Sequence, residues 1–238
     1  MDLSPWSNGP SSNGLWISEE DRLRVDRFNA RLREGDARRV YYQTDEGIPI
    51  FPQLWSGNPH KASILILMLN PSISEDMVCL RTDNDLNGIV ANASRGKWDK
   101  KYPNQWLHPH FRPLDRWCCS VVFGKIHKQI APDFGEEEAW QRLSQRVALL
   151  ELAPWTSSVW STGPISSATS FAVKLAEKAM NDPNRQVLLA RGESDWKTAG
   201  LLDADLLPKS RGVRVNQSRL SQANYPQVWD RIVELITD

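Results

Sequence analysis

The chain is poor in several features that usually announce a function. It has three cysteines, Cys79, Cys118 and Cys119. An odd number with two adjacent makes no disulfide framework, and it is one thiolate short of the set that usually holds an iron–sulfur cluster. Buried, reduced thiols are the expectation. Of the four histidines, His108 and His110 flank Pro109, but no further Cys or His pattern extends them into a metal site. Neither a metal nor a cofactor is expected. No apolar run approaches the roughly 18 residues of a transmembrane helix. The opening MDLSPWSNGPSSNG lacks the basic and apolar segments of a signal peptide. These absences predict a cytoplasmic protein with no membrane partner. Charge of one sign is lacking too: 29 Lys and Arg balance 29 Asp and Glu. Nothing global pulls the chain toward nucleic acid, though a neutral total permits a local basic face. GxGxxG, the Walker loop and GxSxG are all missing, so nucleotide-cofactor folds and α/β-hydrolases lose their usual signatures.

What is present begins with size: 238 residues, 40% hydrophobic, fit one large domain or a domain with an extension. Eleven tryptophans are many. Most belong in a core, and a few suit stacking on unpaired bases. The centre of the pattern is Ile64 to Leu69, an unbroken apolar run that reads as a strand buried on both faces of a parallel sheet. It stops at Asn70-Pro71-Ser72, because Pro cannot continue a central strand. In open α/β sheets ligands bind just beyond the carboxyl ends of strands, so Asn70 is either a turn cap or a residue with chemistry.

The remaining elements follow from periodicity and punctuation. Residues 1–17, rich in Ser, Asn, Gly and Pro, read as a flexible tail, and 18–238 as a single domain. Within it, 18–61 is an N-terminal extension: a helix from Ser18 to about Glu34, a short strand at Arg39–Gln43, and a long ordered loop from Glu46 to Lys61. The polar stretch 75–101 reads as an irregular binding loop or an inconsequential insertion. A short helix is expected over Leu114–Gly124 and another from Gly135. Further strands are expected at VALLELA before Pro154, at Gln186–Ala190 and at Val213–Val215. Helices are expected at Ser166–Met180, from Gly192, and at Asn224–Ile236. Strands alternating with helices predict a three-layer α/β/α fold with a central, four-stranded, mainly parallel sheet.

Two strands of this expected sheet end in Asn-x-Ser: Asn70-Pro71-Ser72, and Asn216-Gln217-Ser218-Arg219-Leu220-Ser221. Parallel strands put both turns on one edge. In this order the pair resembles the two motifs of the uracil-DNA glycosylase superfamily. Met68-Leu69-Asn70-Pro71-Ser72 is similar to the mismatch-specific form of the first motif. Asn216–Ser221 is similar to the second, with Gln217 in place of Pro. The resemblance spans about residues 48–236. It departs at Ser72 and Gln217, and no aromatic residue follows the first motif to stack on uracil.

The resemblance implies a monomeric glycosylase that flips a base out of DNA and hydrolyses its N-glycosidic bond. Asn70 would act at the glycosidic bond and Asn216 would donate to the base carbonyl. Pro71, Ser72 and Ile73 fall where the family grips its base. Ser218, Arg219 and Ser221 would meet the DNA backbone, and Leu220 matches the wedge that fills the gap left by the flipped base. Glu151 interrupts an apolar strand near the family's base-reading amide. There it would accept from a cytosine-type amine; alternatively it pairs with Arg191, itself a DNA-binding candidate. Some relatives act in phage defence on sugar-modified pyrimidines such as glucosylated hydroxymethylcytosine, and the polar stretch, the missing aromatic and Glu151 lean that way. The competing readings are uracil or mismatch repair by the same chemistry, an inert nucleic-acid-binding module on the same fold, and an unrelated α/β enzyme acting on a small metabolite.

Overall fold

The computed structural model of the protein describes residues 4–6, 8–10, 14–43, 50–70, 84–113, 117–155, 157, 166–212 and 217–238. Its centre is a four-stranded, mostly parallel sheet. The strands are β1 (Trp55–Ser56), β2 (Ile64–Met68), β3 (Val147–Glu151) and β4 (Gln186–Leu189), in the order β1-β3-β2-β4. β2 pairs in parallel with β3 on one side, Met68 opposite Glu151, and with β4 on the other, Leu67 opposite Leu189. β1 is an antiparallel edge, inside a segment the sequence presents as loop. A parallel bridge from Leu189 to Lys209 carries the chain past the far side of β4. The expected strand Val213–Val215 lies outside the described residues.

Side-chain alternation makes this sheet a middle layer. Ile64, Ile66, Met68, Val147, Leu149 and Leu188 enter one core. There they meet α3 (Gly124–Phe134), α4 (Glu136–Arg146) and α7 (Trp229–Thr237) through Ile126, Leu143 and Ile232. Leu65, Leu67, Ala148, Leu150, Val187 and Leu189 enter the other, against α5 (Ser167–Met180) and several tryptophans. Every residue of β2 is fully buried. Among the described residues no helix is long and apolar enough to cross a membrane.

Helix ends follow their capping chemistry. α1 (Glu19–Asn29) starts at Ser18, whose side chain accepts from Asp21 N, and carries three acids in its first turn. Asp21 is buried and also accepts from Ser167 N at 3.1 Å and Ser167 Oγ at 2.6 Å. One carboxylate therefore serves the N-termini of α1 and α5. α5 adds a capping box of Ser166 and Thr169.

Several expectations are corrected. α1 stops at Asn29, short of Glu34, where the Asn29 amide clasps both backbone groups of Val40 at 2.8 and 3.0 Å. Arg39–Gln43 is not a strand of the four-stranded sheet; its extended character is limited to β-bridge residues at Tyr41 and Gln43. Part of the polar stretch 75–101 is a helix, α2 (Asn84–Ser94), seated by tertiary contacts: Trp55 Nε1 donates to Ala93 O, and Ser94 Oγ to Pro52 O. It packs beside β1. Between Trp117 and Val122 the chain makes a π-helical turn, followed by α3, which Pro132 had disguised. α7 begins at Trp229, later than Asn224, with Pro226 biasing the residue before it away from helix. The segment 1–17 is no free tail where it is described: Ser4, Trp6, Trp16 and Ile17 are buried, and both tryptophans join the core that contains α5.

Candidate functional site at the carboxyl edge of the sheet

The parallel strands end together, and their ends are braced. Trp196 Nε1, from α6 (Glu193–Thr198), donates to Met68 O at 2.9 Å. Ala153 N donates to Leu69 O at 2.8 Å and Ala190 N to Leu67 O at 3.1 Å. Gly192 turns the chain between β4 and α6 with φ 79°. A Cβ there would lie 2.0 Å from Leu69 Cδ2, so only glycine fits both the conformation and the approach.

On this frame Asn70 leaves the end of β2 buried, its Nδ2 donating to Ser157 Oγ at 2.8 Å. That bond fixes the amide's orientation and ties the end of β2 to the chain beyond β3. Glu151 ends β3 directly across from Met68. It is buried, and its Oε2 has no hydrogen-bond partner. Burial raises its pKa to about 8, and the positive charge of Arg191 only partly opposes this. At neutral pH the side chain is therefore mostly a neutral acid, able to donate and to accept.

The expected ion pair between Glu151 and Arg191 does not form. Arg191 Nε is itself buried without a partner. The reason is topological. β4 is not the neighbour of β3, because β2 lies between them. Two strand spacings separate their ends by about 10 Å.

The second motif divides. Leu220 is fully buried and packs in the same core as Met68 and Ala190, with its N–H donating to Val122 O at 2.9 Å. It is a core leucine in this structure, which corrects its expected place as a wedge in the duplex. Ser218 is also buried, which removes it from the surface where a phosphate contact was expected. Arg219 is half-buried, its Nε donating to Val121 O at 3.3 Å. It lines a surface cavity together with Ser221. By anchoring in the core of Met68, Leu220 holds this segment on the face of the sheet to which alternation also assigns Glu151. Asn216, Pro71, Ser72 and Ile73 lie outside the described residues.

Sequence reasoning missed the cavity beside the second motif, whose cations come from three separated segments. The only signal was the permissive one, that a neutral chain can still carry a basic face. Among the described residues no group of His, Cys, Asp and Glu is arranged to hold a metal ion. No family model matches the chain, and no curated protein or solved structure matches it.

Proposed function

We propose that the protein is a DNA glycosylase of the uracil-DNA glycosylase type that hydrolyses the N-glycosidic bond of a flipped pyrimidine. One observation carries the reading: a buried amide, Asn70, and an unpartnered buried acid, Glu151, end the two adjacent central strands at one edge of the sheet. A buried polar group without a partner is costly unless a ligand completes it.

In the reaction Asn70 positions a water at the anomeric carbon. The carbon–nitrogen bond breaks and its electron pair leaves with the base. The water oxygen bonds to the sugar, and its proton finishes on the base. An amide is a weak base, so positioning and leaving-group stabilisation supply the rate. Glu151, neutral at pH 7, presents a donor beside an acceptor. On a cytosine-type edge it donates to the ring nitrogen and accepts from the exocyclic amine. Asn216 keeps the role its motif implies, a donor to the base carbonyl. Glu151 and the lack of an aromatic residue after Ser72 lean toward a modified cytosine, as in phage DNA, with uracil or mismatch repair as the alternative.

The test is incubation with duplexes carrying uracil, a thymine mismatch or glucosylated hydroxymethylcytosine, followed by cleavage at abasic sites. Abasic product from the modified duplex is expected, reduced about 10²–10³-fold by Asn70→Ala. Product from uracil alone sinks the modified-base preference, and product from none sinks the glycosylase. One observation favours a second reading, an inert nucleic-acid-binding module: the Asn70 amide already donates to Ser157. DNA binding unchanged by Asn70→Ala, with no abasic product from any duplex, selects it.

A further inference from the structure

The cavity beside the second motif encloses about 480 Å³ and is lined, among others, by Lys125, Gln129, Arg211, Arg219, Ser221 and Trp229. Three of its residues are cations and none is a carboxylate. By contrast Lys209, two residues before Arg211, pairs with Glu193, and Lys197 pairs with Asp205. Among the described residues Lys125, Arg211 and Arg219 have no such pairing. Like charges gathered without counter-charge repel one another, and an anion bound among them removes that cost.

The walls are tied together. Arg211 N donates to Asn224 O at 3.0 Å, Asn224 Nδ2 to Arg219 O at 2.8 Å, and Arg219 Nε to Val121 O at 3.3 Å. Three separated segments, from α3, from just beyond the isolated bridge at Lys209 and from the second motif, are thereby held in one surface concavity. Lys125, Gln129 and Arg211 are exposed, so the cavity is open to a long ligand. Its place relative to the sheet is set by the bridge from Leu189 to Lys209, which delivers Arg211 past the carboxyl end of β4. That is the edge where Asn70 and Glu151 end their strands.

We propose that this cavity binds a backbone phosphodiester of the DNA strand whose base enters the carboxyl edge, with Lys125 and Arg211 as binding residues beyond the two motifs. The choice of DNA rests on the glycosylase reading; the choice of a phosphate rests on the cavity. Phosphate contacts hold a protein in register on nucleic acid without reading its sequence. They also release counterions, which makes them countable from the salt dependence of binding.

The experiment is fluorescence anisotropy with a labelled, unmodified duplex over a salt series, using the full chain. Two exposed positions are changed together, Lys125→Gln and Arg211→Gln. Thermal midpoints report whether folding is retained. The slope of log affinity against log salt is expected to fall in magnitude by about 2, near 0.9 for each lost contact. Lys125→Arg with Arg211→Lys is expected to restore it. An unchanged slope in the glutamine variant overturns the site, as does failure of the wild-type protein to bind DNA at low salt. Inorganic phosphate or a mononucleotide competing as well as DNA at equal phosphate concentration overturns the backbone assignment. A lowered slope in a protein that yields no abasic product supports the cavity while rejecting the glycosylase. Abasic product with an unchanged slope does the reverse.

Discussion

Glu151 is the residue whose surroundings make the strongest physical demand. A carboxyl with one oxygen buried and unpaired stays neutral, with its pKa raised to about 8 by burial. The consequence for stability has a definite sign. Below pH 4.5, the ordinary value for this carboxyl, it is protonated folded or unfolded, and its ionisation takes nothing from stability. As pH rises from there toward about 8 only the unfolded chain ionises, so stability falls, and the loss is complete above about 8. Glu151→Gln removes the titration. Its thermal midpoint is expected to gain on the wild type steadily between pH 5 and 8, with a difference on the order of a few kcal/mol by pH 8. A difference that stays flat with pH would mean that the carboxyl titrates normally and has a partner. Asn70 illustrates the opposite case: its amide is engaged, and engagement fixes its geometry.

At the level of elements, the turn between β4 and α6 decides whether the edge exists. Gly192 permits a left-handed backbone, lets α6 start at once, and leaves room for Leu69 immediately before Asn70. α6 then returns Trp196 to cap the carbonyl of Met68. Gly192→Ala combines backbone strain with a clash against a packed side chain. Each effect costs about 1–3 kcal/mol. Chemical denaturation of this variant is expected to show a lowered midpoint, with abasic-site production reduced beyond the loss of folded protein because Leu69 and Asn70 are displaced. A variant as stable and active as the wild type would remove the turn from the account. β2, β3, β4 and α5 were legible because apolar runs and caps are local signals; β1, two residues within a loop-like segment, was not. α2 and α3 were not, because Gly88 and Pro132 argue against helix locally and packing overrides them.

For the whole molecule the least expected feature is the participation of the N-terminal segment. Composition marks residues 1–17 as a tail, yet Trp6 and Trp16 are buried with Leu54 and Trp55, and Trp16 lies against Phe51 at 5.1 Å between ring centroids. Deleting residues 1–17 removes two large core side chains. Each such loss costs roughly 3–5 kcal/mol in other proteins. The truncated chain is therefore expected to melt about 12–40 °C lower in calorimetry. An unshifted transition would show that the segment packs without contributing.

By itself the sequence determined the strand-and-helix alternation, the buried character of β2, and the placing of polar residues where strands stop. These depend on periodicity and turn chemistry, which act between near neighbours. Only the tertiary structure decided which strands are adjacent, and therefore that β2 parts Glu151 from Arg191 and leaves the acid unpaired. It also decided that Leu220 fills the core of Met68, and that cations from distant segments share one cavity. Burial and counter-charge are properties of neighbours in space, and a chain read in order does not contain them.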